Sequence, residues 1–333
     1  MDDADNDQDR AHFLPSASIA NLELRSKLLQ TVRGFFLDRG FFEVDTPLIS
    51  RDTVVDCYID PVSVELSAVR KCPTELWLQT SPEFAMKRLL AAGMKSIFQI
   101  TRAFRNGERG DYHNPEFTIV EWYQVGQGYR QGRDMLGELI ACSLPQTPSS
   151  TELSFAEAFE RYAAVDPHGC SIAELEQAAT AHGIVAPDSM NRADRDEWLN
   201  LLLAECVEAH LGVEQPTILY DYPASQAALA RVDTAGDIPV AQRFEAYVDG
   251  IELANGYHEL CDADELRRRN ASNNKKREAD GRAPLPADSY LISAMEHGLP
   301  ECTGGALGFD RLVMLAADAK RIDDVIPFGI DRA

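Results

Sequence analysis

The chemistry-bearing residues of this sequence fall in a few short stretches. Glu245 and Glu252 flank an Asp249-Gly250 pair in FEAYVDGIELANGYHEL, Phe244 to Leu260. Asp-Gly between apolar strands signals a two-residue hairpin turn. Pairing Val248 with Ile251 sets Tyr247 opposite Glu252 and leaves Glu245 on the same sheet face, diagonal to Glu252. Two carboxylates at one spot repel unless a cation joins them. Magnesium, held by a carboxylate or two plus phosphates, fits that demand; a solvated polar face is the plain alternative. Asn255-Gly256 reads as a further turn that brings Glu259 toward the same place.

A second stretch, Thr101 to Tyr123, reads TRAFRNGERGDYHNPEFTIVEWY. Phe98, Ile100 and Phe104 alternate as in a strand, and Arg105 points opposite Phe104. In the next run Phe117, Ile119, Glu121 and Tyr123 share one face, and Thr118, Val120 and Trp122 the other. A carboxylate between aromatics is expensive to bury alone, so that face wants a cationic ligand, an arginine or water. An arginine on the partner strand suits a phosphate, and an aromatic face suits a purine. An ordinary hairpin with a solvated loop accounts for the same pattern. Elsewhere, Gly304 to Gly308 reads as a glycine-rich turn, and Arg311 follows it in the first turn of a helix through Asp310 to Leu315.

Elements must position these groups. Leu24, Leu28, Val32, Phe35 and Phe36 make a helical stripe that Gly40 stops, and Phe41 to Val44 reads as a strand ended by Thr46-Pro47. Asp56 to Val69 reads as short strands and turns, and Leu76 to Gln79 as a strand. Ser81-Pro82-Glu83 opens a helix, with Ser as cap and Pro at the first position. Phe155, Phe159 and Tyr162 predict one amphipathic helix, and Trp198 to His210 another, within a mostly helical insertion at about 143–215. Asp262 to Arg282 reads as a charged helix whose Lys275-Lys276-Arg277 cluster is a solvated face.

Composition narrows the class. A 45% apolar content supports a sizeable core, and a net charge of −22 disfavours a broad nucleic-acid surface. Residues 1–15 read as an acidic disordered tail without the apolar core of a signal peptide. No run approaches a membrane span, so a cytoplasmic protein with no membrane partner is expected. Seven scattered cysteines without a CxxC pair read as reduced thiols.

FRNGERGDYHNPEFTIVEWY (Phe104 to Tyr123) resembles motif 2 of class II aminoacyl-tRNA synthetases of the lysyl branch. GGALGFDRLVML (Gly304 to Leu315) resembles their motif 3, and FLDRGFFEVDTPLIS (Phe36 to Ser50) their motif 1. Within that branch the chain is most similar to the truncated paralogues that lysylate elongation factor P. The resemblance implies an α+β class II catalytic domain over 16–333, an antiparallel β-sheet flanked by helices, and a homodimer built on motif 1. It implies ATP and Mg2+. Arg105 would meet the α-phosphate, Phe117 would stack on adenine and Arg311 would meet the far phosphates, which makes the two arginines the catalytic pair. Asn106, Gly107, Glu108, Asn114, Leu253 and Gly308 complete the expected ATP site, and Glu245 and Glu252 would hold the magnesium. Ser81, Glu83, Glu121, Tyr123, Glu259 and Ala306 would surround a lysine-like substrate.

Two departures refine this. Lysyl-type motif 2 reads Arg-Asn-Glu, whereas Gly107 here precedes Glu108, which shifts the adenine-reading group. Motif 1 begins within about 25 residues of Met1, leaving no room for the anticodon-binding domain of the full synthetases, so no stable tRNA complex is expected. Ser81 and Ala306 stand where the tRNA synthetases carry Ala and Gly; the extra hydroxyl and methyl favour (R)-β-lysine over α-lysine. The expected reaction is adenylation of (R)-β-lysine or lysine and transfer to a lysine of elongation factor P. Transfer to tRNA or ammonia, and a catalytically inactive regulatory paralogue, are the alternatives.

Overall fold

The computed structural model describes residues 13–66 and 75–333; most of the expected acidic tail lies outside them. Ser18 caps helix α1 (Ile19–Leu37) by accepting from the Asn21 amide. Leu28, Val32, Phe35 and Phe36 form its buried stripe, as the spacing predicts. Gly40, at φ +77°, turns the chain out of the helix. Strand β1 (Phe42–Glu43) then pairs in parallel with β5 (Ser96–Phe104). Between them lie β2 (Ile49–Ser50), β3 (Ser63–Val64) and β4 (Leu76–Leu78), a small sheet in the order β2-β4-β3, followed by helix α2 (Glu83–Ala91).

β5 pairs antiparallel with β6 (Glu116–Val125), from Ser96 opposite Gln124 to Phe104 opposite Glu116. The period of two sorts β6 as expected. Val120 and Trp122 enter the main core, where Phe36 stacks on Phe98 at 4.7 Å. Ile119, Glu121 and Tyr123 face a cleft on the other side. Helix α3 (Tyr129–Ser143) packs with α1 over the core face.

Next come β7 (Thr151–Ser154) and helices α4 (Phe155–Tyr162), α5 (Ile172–Ala181) and α6 (Arg195–Leu202). Capping boxes at Ser154/Glu157 and Ser171/Glu174 start α4 and α5. The helix expected through His210 is regular only to Leu202, giving way to a π turn and a 3-10 turn. These helices bury Phe159, Leu175 and Trp198 in a second core that also takes Leu219, Tyr222 and Tyr247 from the sheet.

The chain continues through β8 (Thr217–Pro223), β9 (Val232–Asp233), β10 (Val240–Val248), β11 (Ile251–His258), α7 (Ala263–Ala279), α8 (Tyr290–Gly298), β12 (Cys302–Gly308) and α9 (Phe309–Ala317). The large sheet runs β1-β5-β6-β12-β11-β10-β8-β7, with β9 beside β10. Its interior pairs are antiparallel and only the outermost pairs, β1 with β5 and β7 with β8, are parallel.

Two glycine readings change. Asn255 and Gly256 lie inside β11 and make no turn. Gly304 and Gly305, read as part of a turn, belong to the central strand β12. There a Cβ on Gly304 would meet Tyr123 at 2.4 Å, and one on Gly305 would meet Trp122 at 2.4 Å. The glycines let aromatic rings of β6 close over both faces of the sheet.

A buried ion pair locks the start of α9. Arg25 Nη1 lies 2.6 Å from Asp310 Oδ1, and its Nη2 donates to Thr118 Oγ1 at 2.7 Å. Asp310 Oδ2 in turn accepts from the Thr118 amide at 2.7 Å. Helix α1, strand β6 and helix α9 are thereby held in one geometry, with Arg311 next in sequence.

The six described cysteines are free, and no described helix is long and apolar enough to cross a membrane.

Candidate active site

The sheet carries two adjoining clefts. One is floored by acids. Ser81, Glu83, Glu121, Tyr123, Glu259 and Ala306, the expected amino-acid residues, all line it. Glu121 sits on β6 opposite Ala306 of β12. Its Oε2 accepts from Ser81 Oγ at 2.6 Å and its Oε1 from Tyr123 OH at 2.7 Å. Ser81 Oγ also accepts from the Glu83 amide at 3.1 Å, but Pro82 takes the N-cap position of α2, one residue later than the expected Ser81 cap. Burial, and then the Glu83 charge, push the Glu121 carboxyl up to about 8. Burial raises Glu259 to about 8 as well.

Lys87, one helical turn beyond Glu83, is 1% exposed. Its Nζ lies 2.5 Å from Glu83 Oε1 and 2.5 Å from Glu259 Oε2. Burial pushes its ammonium down, but Glu259 and Glu83 outweigh that and hold it above the ordinary lysine range. Nothing in the sequence reading singled out Lys87, although its spacing from Glu83 was visible. Tyr257, Arg269, Asn270 and Asn273 also line this cleft without having been anticipated.

The second cleft is flanked by arginines. Arg105, Glu108, Asn114, Phe117, Glu252, Leu253, Gly308 and Arg311 line it. The Arg105 guanidinium lies 5.0 Å from the Phe117 ring centroid. Arg311 Nη1 donates to the Glu252 carbonyl at 2.7 Å, and its Nη2 donates to His113 Nε2 at 2.7 Å. Partial burial, then Arg311 and Arg105, push the His113 imidazole down to about 4, so it is the neutral acceptor of that bond. His113 was not anticipated. Asn114 is buried and ties the loop to the chain's end, accepting from the Ile330 amide at 3.0 Å. Asn106 and Gly107, expected at the nucleotide, are exposed and do not line this cleft. Gly107 takes φ +79° there, and the Asn106 amide is tied to the Asp60 carbonyl at 2.8 Å.

Arg105, Ile119, Asn255 and Ala306 line both clefts. Asn255 was read only as a turn residue, yet β11 sets it opposite Ala306.

The proposed metal pair divides. Val248 pairs with Ile251 and Tyr247 with Glu252, as expected, but a bulge follows between Ala246 and Tyr247. Glu252 stays on the arginine-flanked cleft, while Glu245 turns into a buried cage behind it. Tyr222 and Tyr247 both donate to Glu245 Oε2, the latter at 2.6 Å, and Arg243 Nη2 donates to Oε1 at 2.5 Å. Burial would raise the Glu245 carboxyl, but Arg243 and the two phenols outweigh it and hold it below the ordinary range. Burial and the Glu245 charge raise Glu252. Glu208, from the helical segment, also approaches, and burial, Glu245 and Glu252 push it up to about 7. Among the described residues no three His, Cys, Asp or Glu side chains form a ready metal cage. The donor set therefore offers one open carboxylate, Glu252, backed by a filled one. That fits magnesium held largely by phosphates, and it does not fit Glu245 as an equal, open ligand.

The basic cluster on α7 is also not a uniformly solvated face. Arg277 is 3% exposed, and its guanidinium donates to the Asp56 and Ile59 carbonyls and to Asp60 Oδ1. Lys276 pairs with Asp194 at 2.8 Å. Helix α7 thus clamps the 55–60 loop, part of which roofs the acidic cleft.

The sequence that builds this antiparallel sheet and its two clefts matches a family model. Residues 8–332 match the class II tRNA synthetases (D, K and N), and the chain belongs to that family. Two relatives carry a more specific name, elongation factor P–(R)-β-lysine ligase. The protein of Edwardsiella ictaluri is 46% identical over 98% of this chain and 99% of its own length. That of Salmonella arizonae is 45% identical over 97% of this chain and 99% of its own.

Proposed function

We propose that this chain is an ATP-dependent ligase that adenylates (R)-β-lysine, or lysine, and transfers it to a lysine side chain of elongation factor P. The observation that carries the reading is the common wall of the two clefts. A substrate with its ammonium groups over Glu121 and Glu259 would bring its carboxylate toward Arg105, which also borders the other cleft. The relatives' shared name supports this choice of substrate and acceptor.

In the first step a carboxylate oxygen of the amino acid attacks the α-phosphorus of ATP, and pyrophosphate leaves. Arg105 would balance charge at the α-phosphate, and Arg311, held by the Glu252 carbonyl and His113, would meet the distal phosphates. Phe117 and Asn114 would border the base. Magnesium, when bound, would neutralise phosphate charge, and Glu252 is the residue suited to hold it. Alignment of two anions and spreading of charge do most of the work. In the second step the neutral amine of the acceptor lysine attacks the adenylate carbonyl, AMP leaves, and the amine loses its proton.

Apolar side chains on and beside motif 1 support a homodimer: Ile19 and Phe42 are 66% and 67% exposed. Such exposure at a sheet edge and its adjoining helix wants a partner. Residues 16–333 would act as one catalytic domain with the 143–215 segment inserted.

The test has two stages. ATP–pyrophosphate exchange is measured across a panel of amino acids, with (R)-β-lysine expected to support the fastest exchange. Labelled β-lysine is then offered with elongation factor P or total tRNA. Label on tRNA with none on the protein would overturn the acceptor assignment.

A further inference from the structure

The loop between β5 and β6 is held from outside the sheet. Residues 105–115 form no helix or strand, only an isolated bridge between Gly110 and His113. Yet Glu108, Tyr112, His113 and Asn114 all border the arginine-flanked cleft. Such a loop opens readily unless something ties it. Residues 321–331 tie it, and they are themselves anchored in the core. Ile322, Val325 and Ile326 are buried there. The Asp324 carbonyl accepts from Asn21 Nδ2 of α1 at 2.8 Å, and the Pro327 carbonyl from the Ser16 amide at 2.7 Å. From that base the segment grips the loop. The Ile322 amide donates to the Asp111 carbonyl at 2.7 Å, and the Ile330 amide to Asn114 Oδ1 at 3.0 Å. Between these bonds Arg109 closes a clasp. Its Nη2 lies 2.8 Å from Asp323 Oδ2 and 2.6 Å from Asp331 Oδ2, and its Nε donates to Asp331 Oδ2 at 3.0 Å. Gly329 leaves room for this, since a Cβ there would stand 2.5 Å from Asp323 Oδ1.

We propose that residues 321–331 are a strap that sets this loop over the nucleotide, and that Arg109 is the positioning residue through which the strap acts. Arg109 itself lines neither cleft. Its neighbours in the loop do the touching. Asn114 cannot swing to follow a ligand, because its Oδ1 receives the Ile330 amide and its Nδ2 donates to the Glu116 carbonyl at 2.7 Å. His113 Nε2 receives Arg311 Nη2 at 2.7 Å, so a loop displaced here also loosens that arginine. A loop set in advance spares the ligand the cost of ordering it.

A lone ion pair at a surface is worth little. This one closes a frame that backbone bonds already fix on either side, so little order remains to be lost in making it. Without the cation, the Asp323 and Asp331 carboxylates that meet at one nitrogen repel each other, and strap and loop part there. Arg321 supports the clasp from the strap side, at 3.1 Å from Asp323 Oδ2 and 3.7 Å from Asp111 Oδ1. The clasp also differs from the backbone bonds in its response to salt. The Arg109 and Asp331 side chains are 29% and 68% exposed, which leaves the pair open to screening.

The inference rests on the nucleotide site proposed above, and the experiment separates the two. Amide hydrogen exchange over residues 105–115 is measured in the ligand-free protein, and Kd for magnesium-ATP by calorimetry; neither needs turnover. The proteins are wild type, Arg109→Met, Arg109→Lys and Asp331→Asn. Arg109→Met should speed amide exchange in the loop about fivefold, the upper worth of a partly exposed pair, and weaken ATP binding by about the same factor at low salt. Arg109→Lys should recover part of both, because an ammonium can still sit between the carboxylates, and Asp331→Asn should show a smaller loss. At about 0.5 M salt the gap between wild type and Arg109→Met should narrow to about twofold or less, since screening weakens the clasp in the wild type. KM for the amino acid should change much less than Kd for ATP. Unchanged amide exchange in Arg109→Met would overturn the strap. Faster exchange with unchanged ATP affinity would overturn its role at the nucleotide, and a gap that is equal at both salt concentrations would overturn the clasp as its cause. If Arg109→Met does not fold, Asp331→Asn decides on the same readouts. Absence of ATP–pyrophosphate exchange by wild type with every amino acid would remove the adenylating function, while amide exchange and ATP affinity would still decide the strap.

Discussion

Replacing Glu121 by Gln should stabilise the substrate-free protein at alkaline pH while removing its affinity for the amino acid. Glu121 is 1% exposed, and burial and the Glu83 charge push it from about 4.5 up to about 8. The folded form therefore holds this proton more tightly than the unfolded chain. Unfolding releases it, and stability falls as pH rises from about 4.5 through about 8. At about 1.4 kcal/mol per tenfold change, the full ionisation costs about 5 kcal/mol. Glu259 and Glu83 share the same floor, so one substitution recovers only part, about 2–3 kcal/mol. Gln keeps the shape, and the Ser81 and Tyr123 hydroxyls can rotate to pair with the amide. Urea unfolding at pH 5 and pH 8.5 checks this. The gain of Glu121→Gln over wild type should be small at pH 5 and should reach a midpoint shift of roughly 1 M at pH 8.5. A variant no more stable than wild type at pH 8.5 would refute the account of the acidic floor.

Glu252→Gln should abolish pyrophosphate exchange at limiting magnesium with its circular dichroism unchanged; near-normal exchange would remove Glu252 from the metal assignment. Ala306→Gly takes a methyl from the wall shared by both clefts, so the kcat/KM ratio for α-lysine over (R)-β-lysine should rise about tenfold, the worth of one such group. An unchanged ratio would move the discrimination elsewhere. Arg25→Met strands Asp310 in the core and should cost about 3–5 kcal/mol in urea unfolding, whereas a loss under 1 kcal/mol would mark the pair as dispensable. Arg277→Ala frees the 55–60 loop and should raise KM for the amino acid more than for ATP; equal changes in both would argue against the clamp.

Much of the frame was legible because it is periodic. The stripe of α1 and the alternation of β6 follow from 3.6 and 2.0 residue repeats, and they sorted Glu121 from Trp122 correctly. The Asp249-Gly250 turn fixed the first pairs of its hairpin. Beyond them a bulge sets Glu245 opposite Asn255, which local sequence does not signal, and donors from Tyr222, Tyr247 and Arg243 close over its carboxylate. Asn255-Gly256 and Gly304-Gly305 misled for a common reason. Glycine marks a turn locally, but here it marks close approach of rings from neighbouring strands. Lys87, His113 and Asn255 were missed because their roles arise from contacts between distant segments. Arg277 was misread because a basic run is solvated until a neighbouring loop offers it carbonyls.

The common wall of the two clefts has a thermodynamic consequence. Arg105, Ile119, Asn255 and Ala306 cannot adjust to one ligand without presenting a changed surface to the other. Whatever factor the nucleotide contributes to amino-acid affinity, the amino acid must return to nucleotide affinity, since the cycle closes. Fit in either half is then judged only when both halves are filled, and a poor amino acid would betray itself as weak retention of ATP.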